Sequence, residues 1–418
     1  MTARIAVLIF ACYALAGQSF EAGAGKRIIT PKTLLPISGG MGPGAPAKGK
    51  QGELTARALV LRSGQESVAI VGVDSLGFPS VLGDRARKLI PRLAPERIII
   101  GSTHTHSAPD MYAYPDGKGG HTGSLEYMQF VAEQVAGAVN EALDHMQAAE
   151  FRIATGVAEG RIAYNYYAPD LYDRRASVIQ ARGTDGKMIA TLVNYAVHPE
   201  VLGTGPGLIS PDLVGPLCDR IESAAGGMAM FMNSAQGGMV TADNRDLSNP
   251  SNPERAYWHD KREWSECERI GGQLAKESLR IVDTAQWQKT PTLNVKWTAA
   301  KFPVESKEMW TVVEYSPLQY PRNSDHSITA RMNLVTLGNA QILTIPGEAL
   351  PNIGFYLKRK MKGEHNLLFG LTNDAFGYIL TKVDYKSFPR YDYVSRVSLG
   401  EMTGELLIQY AMELVGGR

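Results

Sequence analysis

From Arg97 to Asp110 the chain reads Arg-Ile-Ile-Ile-Gly-Ser-Thr-His-Thr-His-Ser-Ala-Pro-Asp, a β-branched run that ends in two histidines and a proline. β-Branched residues favour an extended, pleated backbone, so Ile98–Ile100 is expected to be a strand. In an extended backbone, side chains two apart point to one face, so His104 and His106 are expected to converge. Imidazole is the commonest metal ligand and carries protons near neutral pH. Two of eight histidines at one strand end point to a metal-assisted hydrolase, with a plain polar strand end as the alternative.

Working outward, the same arrangement recurs. His198 follows the apolar run Val193–Val197, Glu348 follows Ile342–Pro346 and Gly347, and Tyr378 comes shortly after Leu367–Leu371. Strand ends on one sheet edge are rigid and can be neighbours in space though distant in sequence. Nitrogen ligands with a carboxylate and an open position are what catalytic zinc uses.

Composition narrows the class. With a formal net charge of +1 there is no electrostatic case for nucleic acid as the partner. Strand-like runs at Leu54–Leu61, Ser67–Val73, Met188–Val197, Leu293–Ala299 and Met332–Ile345 alternate with helical periodicity at 81–93, 126–143, 269–284 and 401–414. The interleaving predicts an α/β fold, mixed β-sheets layered with helices, in one domain from about residue 28 to 418. No repeat of 20–50 residues is present. The polar segment 242–266 is expected to be a mobile excursion or a lid. Gly44–Lys50 nearly fits a phosphate-binding loop, but Gln51 replaces the Ser or Thr and no helix pattern follows, so a plain loop is expected.

The N-terminus carries Arg4 and then an apolar run to Gly17, too short to cross a bilayer, with Ala14 and Ala16 in a small-x-small pattern. A signal peptide over residues 1–16 is expected, with a mature start no later than about 25, and hence export to a periplasmic or extracellular space. No later stretch is apolar enough to serve as a transmembrane anchor. Cys218 and Cys267 either pair or stay free.

Four segments together resemble the signatures of the neutral/alkaline, non-lysosomal ceramidase family: Ser102-Thr-His-Thr-His-Ser-Ala-Pro109, Asn194-Tyr-Ala-Val-His-Pro199, Pro346-Gly-Glu348 and Asn373-Asp-Ala-Phe-Gly-Tyr-Ile379. They stand in the family's order, and weaker similarity runs from about 28 to 417. The resemblance implies a fold like the family's N-terminal catalytic domain, and Zn2+ bound by His104, His198, Glu348 and Tyr378. It implies that His106 faces the substrate as an acid/base or oxyanion partner. Tyr391 matches a second family tyrosine if one residue is inserted.

The departures shape the expected chemistry. Gln236–Asn244 replaces the family's serine-bearing segment, with Val240 or Thr241 near the serine position, which favours attack by zinc-bound water. The family's Asn-Arg pair is Asn165-Tyr166 here, and the C-terminal β-sandwich domain is not expected, so the substrate is expected to be an N-acyl amide other than long-chain ceramide. An ester or lactone hydrolase, and a non-catalytic secreted binding protein, remain open. A serine hydrolase is disfavoured, because no Gly-x-Ser-x-Gly occurs. The metallo-β-lactamase pattern fails after His106, and an amidohydrolase barrel would place His-x-His on its first strand, whereas Val68–Val73 precedes it.

Overall fold

The structure is a computed structural model that describes residues 19–252 and 257–416. The expected signal peptide, 1–16, lies outside the described residues.

The same connectivity occurs three times. The first unit contains β1 (Phe20–Ile28), β2 (Thr55–Ser63), β3 (Glu66–Val73), α1 (Ser80–Lys88), β4 (Ile98–Ser102) and α2 (Leu125–Asp144). The second contains β5 (Gln147–Val157), β6 (Arg175–Gly183), β7 (Met188–Tyr195), α3 (Val214–Ala225), β8 (Met228–Asn233) and α4 (Trp264–Val282). The third contains β9 (Leu293–Pro303), α5 (Lys307–Tyr315), β10 (Ser327–Leu337), β11 (Ala340–Thr344), α6 (Pro351–Lys360), β12 (His365–Phe369), α7 (Asp392–Arg396) and α8 (Thr403–Gly416). In each unit three strands form an antiparallel meander, and a helix then crosses to a fourth strand parallel to the third. In each, the closing helix (α2, α4 or α8) packs on the first two strands.

The first two sheets join edge to edge through β1 and β5, but only at Glu21↔Ala148 and Ala22↔Gln147. The third sheet is separate. One core collects residues from all three sheets, among them Leu59, Ile70, Ile153, Leu192, Ile342 and Phe369. The other face of each sheet is covered by its own helices. Strand periodicity explains the division: in β2, Ala56, Ala58 and Val60 face the helices, while Leu59 and Leu61 face the shared core. Sheets buried on both faces read as continuous apolar runs rather than as alternation.

Several expectations need correction. The folded unit begins at β1, ahead of residue 28. The segment 242–266 is not a bare excursion: Arg245–Asn252 pairs with Tyr257–Asp260, and α4 begins at Trp264 rather than 269. Cys218 and Cys267, whose pairing the sequence left open, are free and buried. The strand ends before His104, His198 and Glu348 belong to three units in two sheets, not to one edge of a single sheet. Among the described residues, no helix is long and apolar enough to cross a membrane.

Candidate metal centre and the two cavities beside it

Each unit sends one side chain to a common point from the end of its third or fourth strand. His104 lies two residues beyond β4, His198 three beyond β7, and Glu348 four beyond β11. The reason His104 and His106 converge differs from the strand alternation expected above. The backbone leaves the strand at Ser102, and His104 sits at φ +72, held by its N–H donating to the Ser75 carbonyl at 3.0 Å. A left-handed non-glycine residue costs about 1–3 kcal/mol and persists only where its surroundings fix it. Glu348 starts a two-residue parallel pairing with Tyr378, and its N–H donates to the Gly377 carbonyl at 2.8 Å. Gly237 lets this happen: a Cβ there would lie 2.1 Å from the Glu348 carbonyl oxygen.

Asparagines tie the units together. The fully buried Asn233 donates to the carbonyls of Val197 (2.7 Å) and Thr103 (3.2 Å) and accepts from the Val197 N–H (3.2 Å). It therefore joins the two segments that carry His198 and His104. Asn194 donates to Met232, Asn233 and Leu368 carbonyls at 2.9–3.0 Å, linking β7, β8 and β12.

The donor set has a distinctive polarity. The Nδ1 atoms of His104, His106 and His198 contact the carbonyls of Leu76, Gly39 and Val240. A carbonyl only accepts, so each Nδ1 carries the hydrogen and each Nε2 keeps a lone pair. Those lone pairs face one another. His104 Nε2 is 3.2 Å from His106 Nε2, and the Glu348 carboxylate lies 3.1 Å from His198 Nε2 and 3.5 Å from His104 Nε2. With neutral imidazoles all four are acceptors and repel unless a cation joins them, a proton in the metal-free centre or a metal ion. Tetrahedral zinc with bonds of about 2.0–2.1 Å separates its ligand atoms by about 3.3 Å, so the spacing fits. Imidazoles fixed through Nδ1–H to a carbonyl are also the usual supporting arrangement of metal ligands. His104, His106 and His198 together could hold a metal ion.

The electrostatics follow from burial and proximity. Burial, with the neighbouring imidazoles, pushes His106 down to about 3, against the pull of Glu200. Burial alone would raise Glu348, but the charge and hydrogen bonds of His104 and His198 hold it far below the usual carboxylate range. His198 is raised: burial lowers it, and the hydrogen bond and charge of Glu348 outweigh that. Burial and the Glu348 charge raise the Tyr378 phenol well above its ordinary range.

Two cavities flank this centre. One is an apolar cleft of about 900 Å³, counting space open to solvent, bordered by His104, His106, Glu348 and Tyr378. The other is a polar, aromatic cavity of about 1410 Å³, likewise partly open to solvent, lined by Glu200, Met239 and Thr241 among others. Two contacts link their walls: His106 is 3.7 Å from Glu200, and the Tyr378 hydroxyl is 3.3 Å from the Met239 sulfur.

Thus His104, His106, His198 and Glu348 are brought together, and Tyr378 lines the same cleft. Tyr391 does not line it: its ring packs on Tyr167 and Phe388, at 5.4 and 4.2 Å between centroids. Of this segment's tyrosines it is Tyr393, two residues on and 40% exposed, that borders the cleft, which Tyr112, Tyr114 and Tyr320 also line. Val240, near the family's serine position, gives its backbone carbonyl to His198, and Thr241 hydrogen-bonds Glu200. Asn165 is structural, bonding Tyr167 and Leu171, while Tyr166 lines the polar cavity. Sequence reasoning missed Glu200, although an acid directly after His198-Pro199 was a usable signal.

No family model and no curated protein matches the chain in sequence. In structure it is similar to a crystal structure of neutral ceramidase from Pseudomonas aeruginosa, with a TM-score of 0.75 and 16% identity over 96% of this chain and 75% of that one. It is also similar to a structure of ceramidase complexed with C2, with a TM-score of 0.73 and 16% identity over 95% and 75%. At this identity the likeness carries the fold, and the three-unit α/β domain of this chain is the neutral ceramidase fold.

Proposed function

We propose that this chain is a zinc-dependent hydrolase that cleaves an amide (N-acyl) bond. The observation that carries the reading is the convergence of three imidazole Nε2 atoms and a carboxylate on one point. The ceramidase fold supports the choice of an amide bond.

His104, His198 and Glu348 would hold the ion, with Tyr378 beside them. Bound zinc lowers the pKa of its water from about 16 to about 7 and polarises a carbonyl oxygen. His106 is the most exposed of the three imidazoles, 13% against 5% and 0%, which supports a substrate-facing role. Its Nε2 takes the proton released as water attacks and returns it to the departing nitrogen, while Nδ1–H stays on the Gly39 carbonyl. Tyr393, a neutral phenol raised by burial and by the Glu348 and Glu200 charges, offers an O–H to the developing oxyanion from the cleft wall. Export through the N-terminal signal is part of the same proposal; N-terminal sequencing of exported protein is expected to find cleavage after Ala16, ahead of β1.

The test is hydrolysis of a short N-acyl amide by purified protein, before and after chelation and on adding zinc back. Loss with the chelator and recovery with zinc support the reading; cleavage indifferent to both would refute it. His106→Ala is expected to keep the ion and lose roughly a hundredfold in kcat. Loss of the ion instead would make His106 a third imidazole ligand.

A further inference from the structure

The polar cavity has features that an alkyl chain cannot use, and they define the other half of the substrate. The apolar cleft on the metal side is walled by Met309, Val312, Val313, Ile328, Phe376 and Leu399, a setting for one acyl chain. In the neighbouring cavity, the polar side chain beside His106 is Glu200. Its carboxylate, 20% exposed, borders the cavity 3.7 Å from His106 Nδ1.

Behind it stand guanidinium groups. Arg245 is fully engaged: its fork grips Asp243 with two bonds of 2.9 Å, and its plane lies between the rings of Tyr164 and Trp258. It is a wall. Arg262 is differently placed. Its two contacts, to the Asp260 carboxylate at 3.3 Å and the Leu202 carbonyl at 3.4 Å, are both long, and its side chain is 46% exposed. A guanidinium fork matches a carboxylate in two parallel hydrogen bonds. Arg262 and Glu200 flank the same turn: a Cβ on Gly203 would be 2.6 Å from Arg262 Nη1 and 3.8 Å from the Glu200 carbonyl oxygen.

We propose that the substrate is an N-acylated amino acid with a single alkyl chain. The alkyl chain fills the apolar cleft, and the amino acid's carboxylate meets Arg262 in the polar cavity. The inference rests on the hydrolase reading for its chemistry: water adds to the amide carbon, the C–N bond breaks, and the released nitrogen receives the water's proton. The products are a fatty acid and an amino acid, whose ammonium then faces Glu200 while its carboxylate faces Arg262. Glu200 and Arg262 line this one cavity and carry the charges opposite to the ammonium and carboxylate of the zwitterion that the reaction releases. A second long alkyl chain, as in a ceramide, would have to lie among charged groups.

The experiment compares N-octanoylglycine, N-octanoyl ethylamine and a long-chain ceramide with the zinc-loaded full chain. The expected result is a kcat/KM at least tenfold higher for N-octanoylglycine than for either other substrate. In Arg262→Ala that preference over the ethylamide is expected to fall at least tenfold, with Arg262→Lys recovering part of it. Binding of N-octylsulfonylglycine, an unreactive analogue, is measured by calorimetry and is expected to weaken at least tenfold in Arg262→Ala. Equal or faster cleavage of the ethylamide or ceramide overturns the proposal while leaving the hydrolase reading intact. If no amide is cleaved, the hydrolase reading fails, and sulfonylglycine binding still judges the subsite: binding that ignores Arg262 overturns it.

Discussion

Replacing Asn233 with alanine removes one side chain that spans two units. Its amide makes three hydrogen bonds that join the Thr103 and Val197 segments and a fourth to the Ser234 N–H at 3.0 Å. All four are away from water, since Asn233 is fully buried. A typical buried hydrogen bond contributes about 1 kcal/mol net, so the loss sums to about 4 kcal/mol. Unfolding entropy of about 2.1 cal/mol/K per residue over about 400 residues gives about 0.8 kcal/mol/K, so Tm should drop by about 5 °C. Measured with chelator present, that drop reports on the protein alone. Because Asn233 holds the segments bearing His104 and His198, the variant should also lose about ten- to a hundredfold in zinc affinity by competition with a chromophoric chelator. A Tm lowered by less than 1 °C together with unchanged zinc affinity would mean that the two strand ends are held by something other than this side chain.

Gly237→Ala pushes a Cβ against the Glu348 backbone, so zinc affinity in the same competition assay should fall at least tenfold. Tyr393→Phe should reduce kcat at least tenfold, whereas Tyr391→Phe should change it by less than about twofold; equal effects would contradict the placement of Tyr393 in the cleft. Asp173 is held at about 2 because Lys358 and Arg175 outweigh its burial, while burial pulls Lys358 below its ordinary range despite Asp173. A carboxylate with a depressed folded pKa contributes stability above its ordinary value of 3.8 and loses it as pH falls towards about 2. Asp173→Asn should therefore flatten the acid limb of the stability curve in that window. At neutral pH it should cost about 3–5 kcal/mol by stranding the buried Lys358, which denaturant unfolding would measure.

The convergence of His104, His198 and Glu348 was legible in sequence because each follows an apolar run long enough to identify as a strand. The fold was legible in class but not in plan. The three units are each about 125 residues long and share connectivity rather than sequence, so no short period betrays them. Strand β1 was hidden by its composition, Phe-Glu-Ala-Gly-Ala-Gly-Lys-Arg-Ile. Its glycines answer to packing: a Cβ on Gly23 or Gly25 would lie 2.0 or 2.2 Å from the Ala142 or Ala138 carbonyl oxygen of α2. Helix α3 was hidden likewise by Gly215 and Pro216 in its first turn. Tyr393 escaped because a match across an insertion fixes no register, and only the turn at 389–391 determines which ring borders the cleft.

Diffraction from a crystal of the zinc-loaded protein, recorded at the zinc absorption edge, addresses the centre directly. One anomalous peak is expected about 2.0–2.2 Å from His104 Nε2, His198 Nε2 and a Glu348 carboxylate oxygen. A stoichiometrically zinc-free crystal, or a peak bound by other side chains and by none of these three atoms, would contradict the metal centre and the hydrolase built on it.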